Sequence, residues 1–95
     1  MSTNDNCKPA DIAWSRNHFR MMGDGGSWAV PRSGLIFTKR GERLELTARL
    51  PYDPAMPMSK TEMREYQEND FECIKRNFGA AGITVVNAIK PEKAP

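Results

Sequence analysis

Residues 35–50 read LIFTKRGERLELTARL. From Leu44 onward the alternation is regular. Leu44, Leu46, Ala48 and Leu50 fall on one face, and Arg43, Glu45, Thr47 and Arg49 on the other. A period of two with one apolar face predicts an antiparallel strand, half buried and half solvated. Upstream, Lys39-Arg40-Gly41-Glu42 reads as a turn, and Leu35 to Thr38 as the strand before it. Pro31-Arg32-Ser33-Gly34 is a second tight turn, because proline pre-sets φ and glycine accepts unusual dihedrals. Trp28 and Val30 share a face of a still earlier strand. Trp28–Leu50 is therefore expected to form a three-stranded antiparallel meander.

Beyond the meander, PYDPAMPM (51–58) holds three of the seven prolines and reads as an extended connector. Ser59-Lys60-Thr61-Glu62 has the pattern of a capping box. The helix it opens places Met63, Tyr66, Ile74, Phe78 and Ala81 near one face, with Phe71 at the flank. Gly82 is its expected stop, with Gly79 the alternative. This helix runs about six turns. Ile83–Ile89 is β-branched and reads as a last strand. Before the meander, Pro9–Met22 admits two readings. A short helix begins at Pro9, joins Ile12, Phe19 and Met22 on one face, and stops at Gly23. Alternatively, the stretch around Trp14–Met22 pairs with Ser27–Val30 through Gly23-Asp24-Gly25-Gly26. A short helix, or a helix turn leading into a strand, is preferred. The expected class is α+β: a three-stranded antiparallel meander, one long helix packed on it and a C-terminal strand, β-β-β-α-β, after a short N-terminal element. Residues 1–8 are expected to be a disordered leader, 9–90 a single domain and 91–95 a frayed tail.

The chain has 95 residues, a net charge of +2, 39% hydrophobic and 27% charged residues. That composition suits one small folded domain and excludes a disordered chain. No window is long and apolar enough to span a membrane, and the N-terminus lacks an apolar signal core. The cytoplasm is the expected location, with Cys7 and Cys73 as free thiols.

Catalytic and cofactor motifs are missing. The glycine cluster at 23–26 lacks the Gly-Lys-Ser/Thr of a phosphate loop and carries Asp24, which would repel phosphate, so it reads as a turn. His18 has no nucleophile elbow to serve. Cys73, beside Phe71 and Ile74, reads as a small packed hydrophobe. The helix carboxylates Glu62, Glu65, Glu68, Asp70 and Glu72 are interleaved with cations and spread around the cylinder, as on a solvated face. With one histidine and no paired cysteines, no metal site is expected. The chain is accordingly read as a non-enzyme without cofactor, metal or catalytic residues.

Two binding readings stand. Trp28, Arg32, Ser33, Tyr52 and Met56 are candidate partner-binding residues. Arginine and tryptophan anchor interfaces, a proline-fixed turn presents Arg32 with little ordering loss, and methionine adapts to irregular surfaces. The partner would be a larger protein, although the same surface would serve a homodimer. The alternative is a small nucleic-acid-binding module. Arg16, Arg20, Lys39, Arg40 and Arg43, with Arg32, make the front half basic, interleaved with Trp14, His18 and Trp28 for stacking.

The run DGGSWAVPRSGLIFTKRG, followed by PYDPAMPMS and a capped helix, resembles small phage and prophage proteins over residues 19–83. The resemblance implies a protein that binds and modulates or inhibits a host enzyme, such as a polymerase or a defence nuclease.

Overall fold

The meander forms as its alternation requires. A computed structural model describes residues 9, 11–51 and 53–89. The leader, the tail and Tyr52 lie outside the described residues. Strands β1 (Ser27–Ala29), β2 (Leu35–Arg40) and β3 (Arg43–Arg49) pair antiparallel. Trp28 sits opposite Phe37, and Phe37 opposite Leu46, so one face of three strands is apolar. The turns between them lock to each other. Asp24 accepts a hydrogen bond from the Gly41 amide at 3.0 Å, and Gly25 and Lys39 are bonded through their backbones. The glycine cluster is thus a turn whose aspartate ties it to the next hairpin.

One part of the alternation fails. The β2–β3 register steps from Phe37↔Leu46 to Ile36↔Ala48, which leaves Thr47 as an extra residue on β3. A β-bulge of this kind shifts every following side chain to the other face. Ala48 and Leu50, expected in the core, are exposed, Leu50 at 56%. Arg49, expected on the solvent face, now stands opposite buried Leu35.

The long helix α2 (Lys60–Ala80) starts at the expected capping box. Ser59 Oγ accepts from the Glu62 amide at 3.1 Å, and Glu62 Oε1 accepts from the Ser59 amide at 2.9 Å. Gly82, at φ +85°, follows the Ala81 cap and ends it. The helix buries Met63, Ile74 and Phe78 as its spacing predicts, and also Gln67, which the apolar pattern had passed over. The last strand, β4 (Thr84–Asn87), is shorter than expected and pairs parallel to β3, so the sheet is mixed, in order β1-β2-β3-β4. The reason is geometric. A 21-residue helix carries the chain about 31 Å back along the sheet, so the strand after it runs in the same sense as the strand before it.

The N-terminal element is a helix, α1 (Ile12–Met21). It begins later than a Pro9 start, because the Asp11 carboxylate caps it by accepting from the Trp14 amide at 2.9 Å. Its inward face is Ser15, His18 and Phe19, followed by Met22, whereas Ile12 is turned out, 42% exposed. The core joins Leu35, Phe37, Leu44 and Leu46 of the meander to Ile74 and Phe78 of α2 and to Ile83 and Val85. Each such large side chain, fully buried, contributes about 1.5–3 kcal/mol. Cys73 is disulfide-bonded rather than the expected free thiol.

Candidate functional site

The Pro31–Gly34 turn is more constrained than its sequence suggests. Arg32 has φ +75°, a left-handed value, and among the described residues it is the only non-glycine with one. The Ser33 amide donates to the Pro31 carbonyl at 2.9 Å, which makes Arg32 the centre of a three-residue γ-turn. A side chain in that conformation costs on the order of 1–3 kcal/mol and persists only where the surroundings impose it.

Those surroundings are visible. Ser33 is buried, and its hydroxyl donates to Asp70 Oδ2 at 2.6 Å. Gln67 Nε2 donates to the Ser33 carbonyl at 2.8 Å. Two polar side chains of α2, one turn apart, thus grip the residue beside Arg32 from both ends. The Gly34 amide bonds the Val30 carbonyl at 3.0 Å, and the Leu50 amide bonds the Gly34 carbonyl at 3.0 Å. At Gly34, with φ +74°, a side chain would be strained, and its Cβ would lie 3.1 Å from Leu50 Cβ.

Beneath the turn is a cavity of about 370 Å³, at the lower end of the range for ligand pockets. Its lining includes Val30, Leu50, Met56 and Met63, with Arg32 and Asp53 as its charged members. Leu50 is there because the bulge has released it from the core face. Met56 is held by a turn rather than an extended connector: the Asp53 carboxylate accepts from the Ala55 amide, and the Asp53 carbonyl from Met56.

The sequence-derived candidates divide. Arg32, Ser33 and Met56 come together at this cavity, Ser33 as a buried support rather than an exposed contact. Tyr52 lies outside the described residues. Trp28 does not line the cavity. It stacks on Phe37 with ring centroids 5.7 Å apart and meets Trp14 and His18 edge-on, so most of its surface is spent inside the fold. Sequence reasoning missed Leu50, Met63, Gln67 and Asp70 as parts of the site. No local signal marks a bulge, and two polar residues on a charged helix look like solvated face.

The basic candidates are mostly committed elsewhere. Arg40 and Arg43 both bind Glu45, at 3.0 Å and 2.6 Å. Lys39 donates to the Phe19 and Met22 carbonyls at 3.0 Å and 3.1 Å and lies over the Phe19 ring, capping the end of α1. Arg16 Nε reaches the Ala81 carbonyl at 3.3 Å. Lys39 and Arg16 thus brace the ends of α1 and α2, whereas Arg20 is exposed and Arg40 and Arg43 stay 60% and 55% exposed beside Glu45.

His18 is stacked on Trp14 with centroids 4.8 Å apart, and its Nε2 finds no hydrogen-bond partner among the described residues. Burial lowers its pKa from the ordinary 6.5, so it is neutral at pH 7. No group of three or more His, Cys, Asp or Glu among the described residues is placed to hold a metal ion. No helix among them is long and apolar enough to cross a membrane. Compared with known protein families, curated proteins and solved structures, the chain matches none.

Proposed function

We propose that this protein is a non-enzymatic binding module that engages a larger protein through the cavity under the Pro31–Gly34 turn. The observation that carries this reading is the strained, exposed Arg32 held over an apolar cavity by hydrogen bonds from α2. Strain of this kind is a cost to the fold. It makes sense as preorganisation, because a side chain already fixed in its bound geometry loses little freedom on binding. The cavity would receive an apolar side chain of the partner, and Arg32 would close over it. The likeness to small phage proteins adds the expectation that the partner is a host enzyme.

The test is to pan a library of short random peptides against the wild-type protein and to re-test the selected binders on Leu50→Asp and Arg32→Ala. Both residues are exposed, so both variants should keep the wild-type circular dichroism. Binders that lose affinity for both variants support the reading. Binders indifferent to both changes would place recognition elsewhere and defeat it.

A further inference from the structure

The cavity does not end at Leu50. Leu50, Pro51, Met63 and Gln67 also line a second pocket beside it, of about 220 Å³. The remaining members of that pocket are Arg49, Lys60 and Arg64. Three cations thus meet in one small depression that no carboxylate lines. Among the described residues the ion pairs are those of Arg40 and Arg43 with Glu45, so none of the three cations is paired there. Arg49 also lines a neighbouring pocket with Glu68 and Glu72, without forming an ion pair to either.

This arrangement works against the fold. Lys60 is the first residue of α2 and Arg64 lies one turn on. Cations near a helix N-terminus oppose the helix dipole, and like charges at this spacing repel. Arg49 is brought to them from β3 by the Thr47 bulge. Glu62, the acid of the first turn, has Oε1 engaged by the Ser59 amide. Three cations assembled from two elements, contiguous with an apolar cavity, have charge complementarity to a ligand that is apolar at one end and anionic at the other.

We infer that the partner segment is acidic: an apolar side chain fills the cavity under Arg32, and neighbouring aspartates or glutamates pair with Arg49, Lys60 and Arg64. This rests on the proposed function and adds the chemistry of the partner. Arginine suits the role because its planar fork takes a carboxylate by two hydrogen bonds.

The experiment uses the same peptide selection. Binders that depend on Leu50 should be enriched in an apolar residue flanked by acids. A selected peptide, its Asp/Glu→Asn/Gln counterpart and a single-stranded oligonucleotide are then titrated against wild type and the Arg49→Glu/Arg64→Glu variant by fluorescence anisotropy. The expected result is a loss of about tenfold or more for either the neutralised peptide or the reversed protein, with binding that weakens as salt is added. A thermal melt checks that the variant folds, because the reversal also sets new acids beside Glu68 and Glu72. Cavity-dependent peptides without acidic bias, or binding unchanged in the reversed protein, overturn the inference and leave the proposed function standing. Tighter binding of the oligonucleotide than of the peptide would assign the cations to nucleic acid and also overturn it. Failure to select any Leu50-dependent peptide counts against both readings.

Discussion

Replacing Arg32 by glycine should make the protein more stable while weakening the proposed binding site. In the folded chain Arg32 sits at φ +75°, and its Cβ crowds the backbone there. Relieving a left-handed side chain of that clash is worth about 1–2 kcal/mol. Glycine has more freedom to lose on folding, about 0.5–1 kcal/mol, which offsets part of the gain. The net expectation is a variant more stable by roughly 0–1.5 kcal/mol, or up to about 10 °C in Tm for a domain of this size. Arg32→Ala supplies the control. It keeps the Cβ and the strain, and since Arg32 is exposed, it should stay within about 0.5 kcal/mol of wild type. In an ordinary turn or helix, alanine outlasts glycine. Here the order should invert. Urea and thermal denaturation of the three proteins under one condition measure it. If Arg32→Gly unfolds below Arg32→Ala, the strain is not there, and the argument that the turn stores it for binding fails.

Ser33→Ala removes a hydrogen bond to the Asp70 carboxylate and should destabilise by about 1.5–3 kcal/mol in urea titration. A double-mutant cycle with Asp70→Asn should show strong coupling. Gly34→Ala meets Leu50 and a positive φ together, so it should lose more than about 1 kcal/mol, and Leu50→Ala should recover only part of it. The unfolded chain protonates its histidine near pH 6.5, whereas partly buried His18 resists until a lower pH. Stability is therefore full above about pH 6.5 and falls as pH drops from there toward the folded-state pKa; His18→Leu should lack this slope. Lys60→Glu should raise stability by about 0.3–1 kcal/mol at low salt by satisfying the helix dipole, seen as a higher melting temperature.

The parts of the fold governed by local pattern were legible in the sequence. The Ser59–Glu62 capping box and the Gly82 stop depend on neighbours a few residues away and appear as expected; Leu44 and Leu46 reach the core, but Glu45 between them, expected in solvent, is buried and paired with Arg40 and Arg43. What the sequence concealed was set over longer distances. The Thr47 bulge arises from how β3 meets β2, and nothing in RLELTARL announces it. The parallel pairing of β4 follows from the path of α2 across the sheet. The direction of a final strand cannot be read from its own residues. The site divides in the same way. Arg32 could be found because Pro-Arg-Ser-Gly is a turn whatever its surroundings. Its supports, Gln67 and Asp70, lie 34 and 37 residues from Ser33, and their neighbours disguise them as solvated helix. The basic pocket was hidden twice over. The bulge moved Arg49 to the helix side, and Lys60 and Arg64 are interleaved with acids whose side chains do not line that pocket.

Recognition under the Pro31–Gly34 turn, as proposed, competes with recognition on the aromatic stack around Trp14, itself half exposed. Amide chemical-shift mapping of the isotopically labelled protein, titrated with a selected peptide, distinguishes the two. The amides of Val30, Arg32, Gly34, Leu50 and Met63 should shift together and saturate at one affinity. Shifts confined to Trp14, His18 and Trp28, with the turn unmoved, would contradict the proposal.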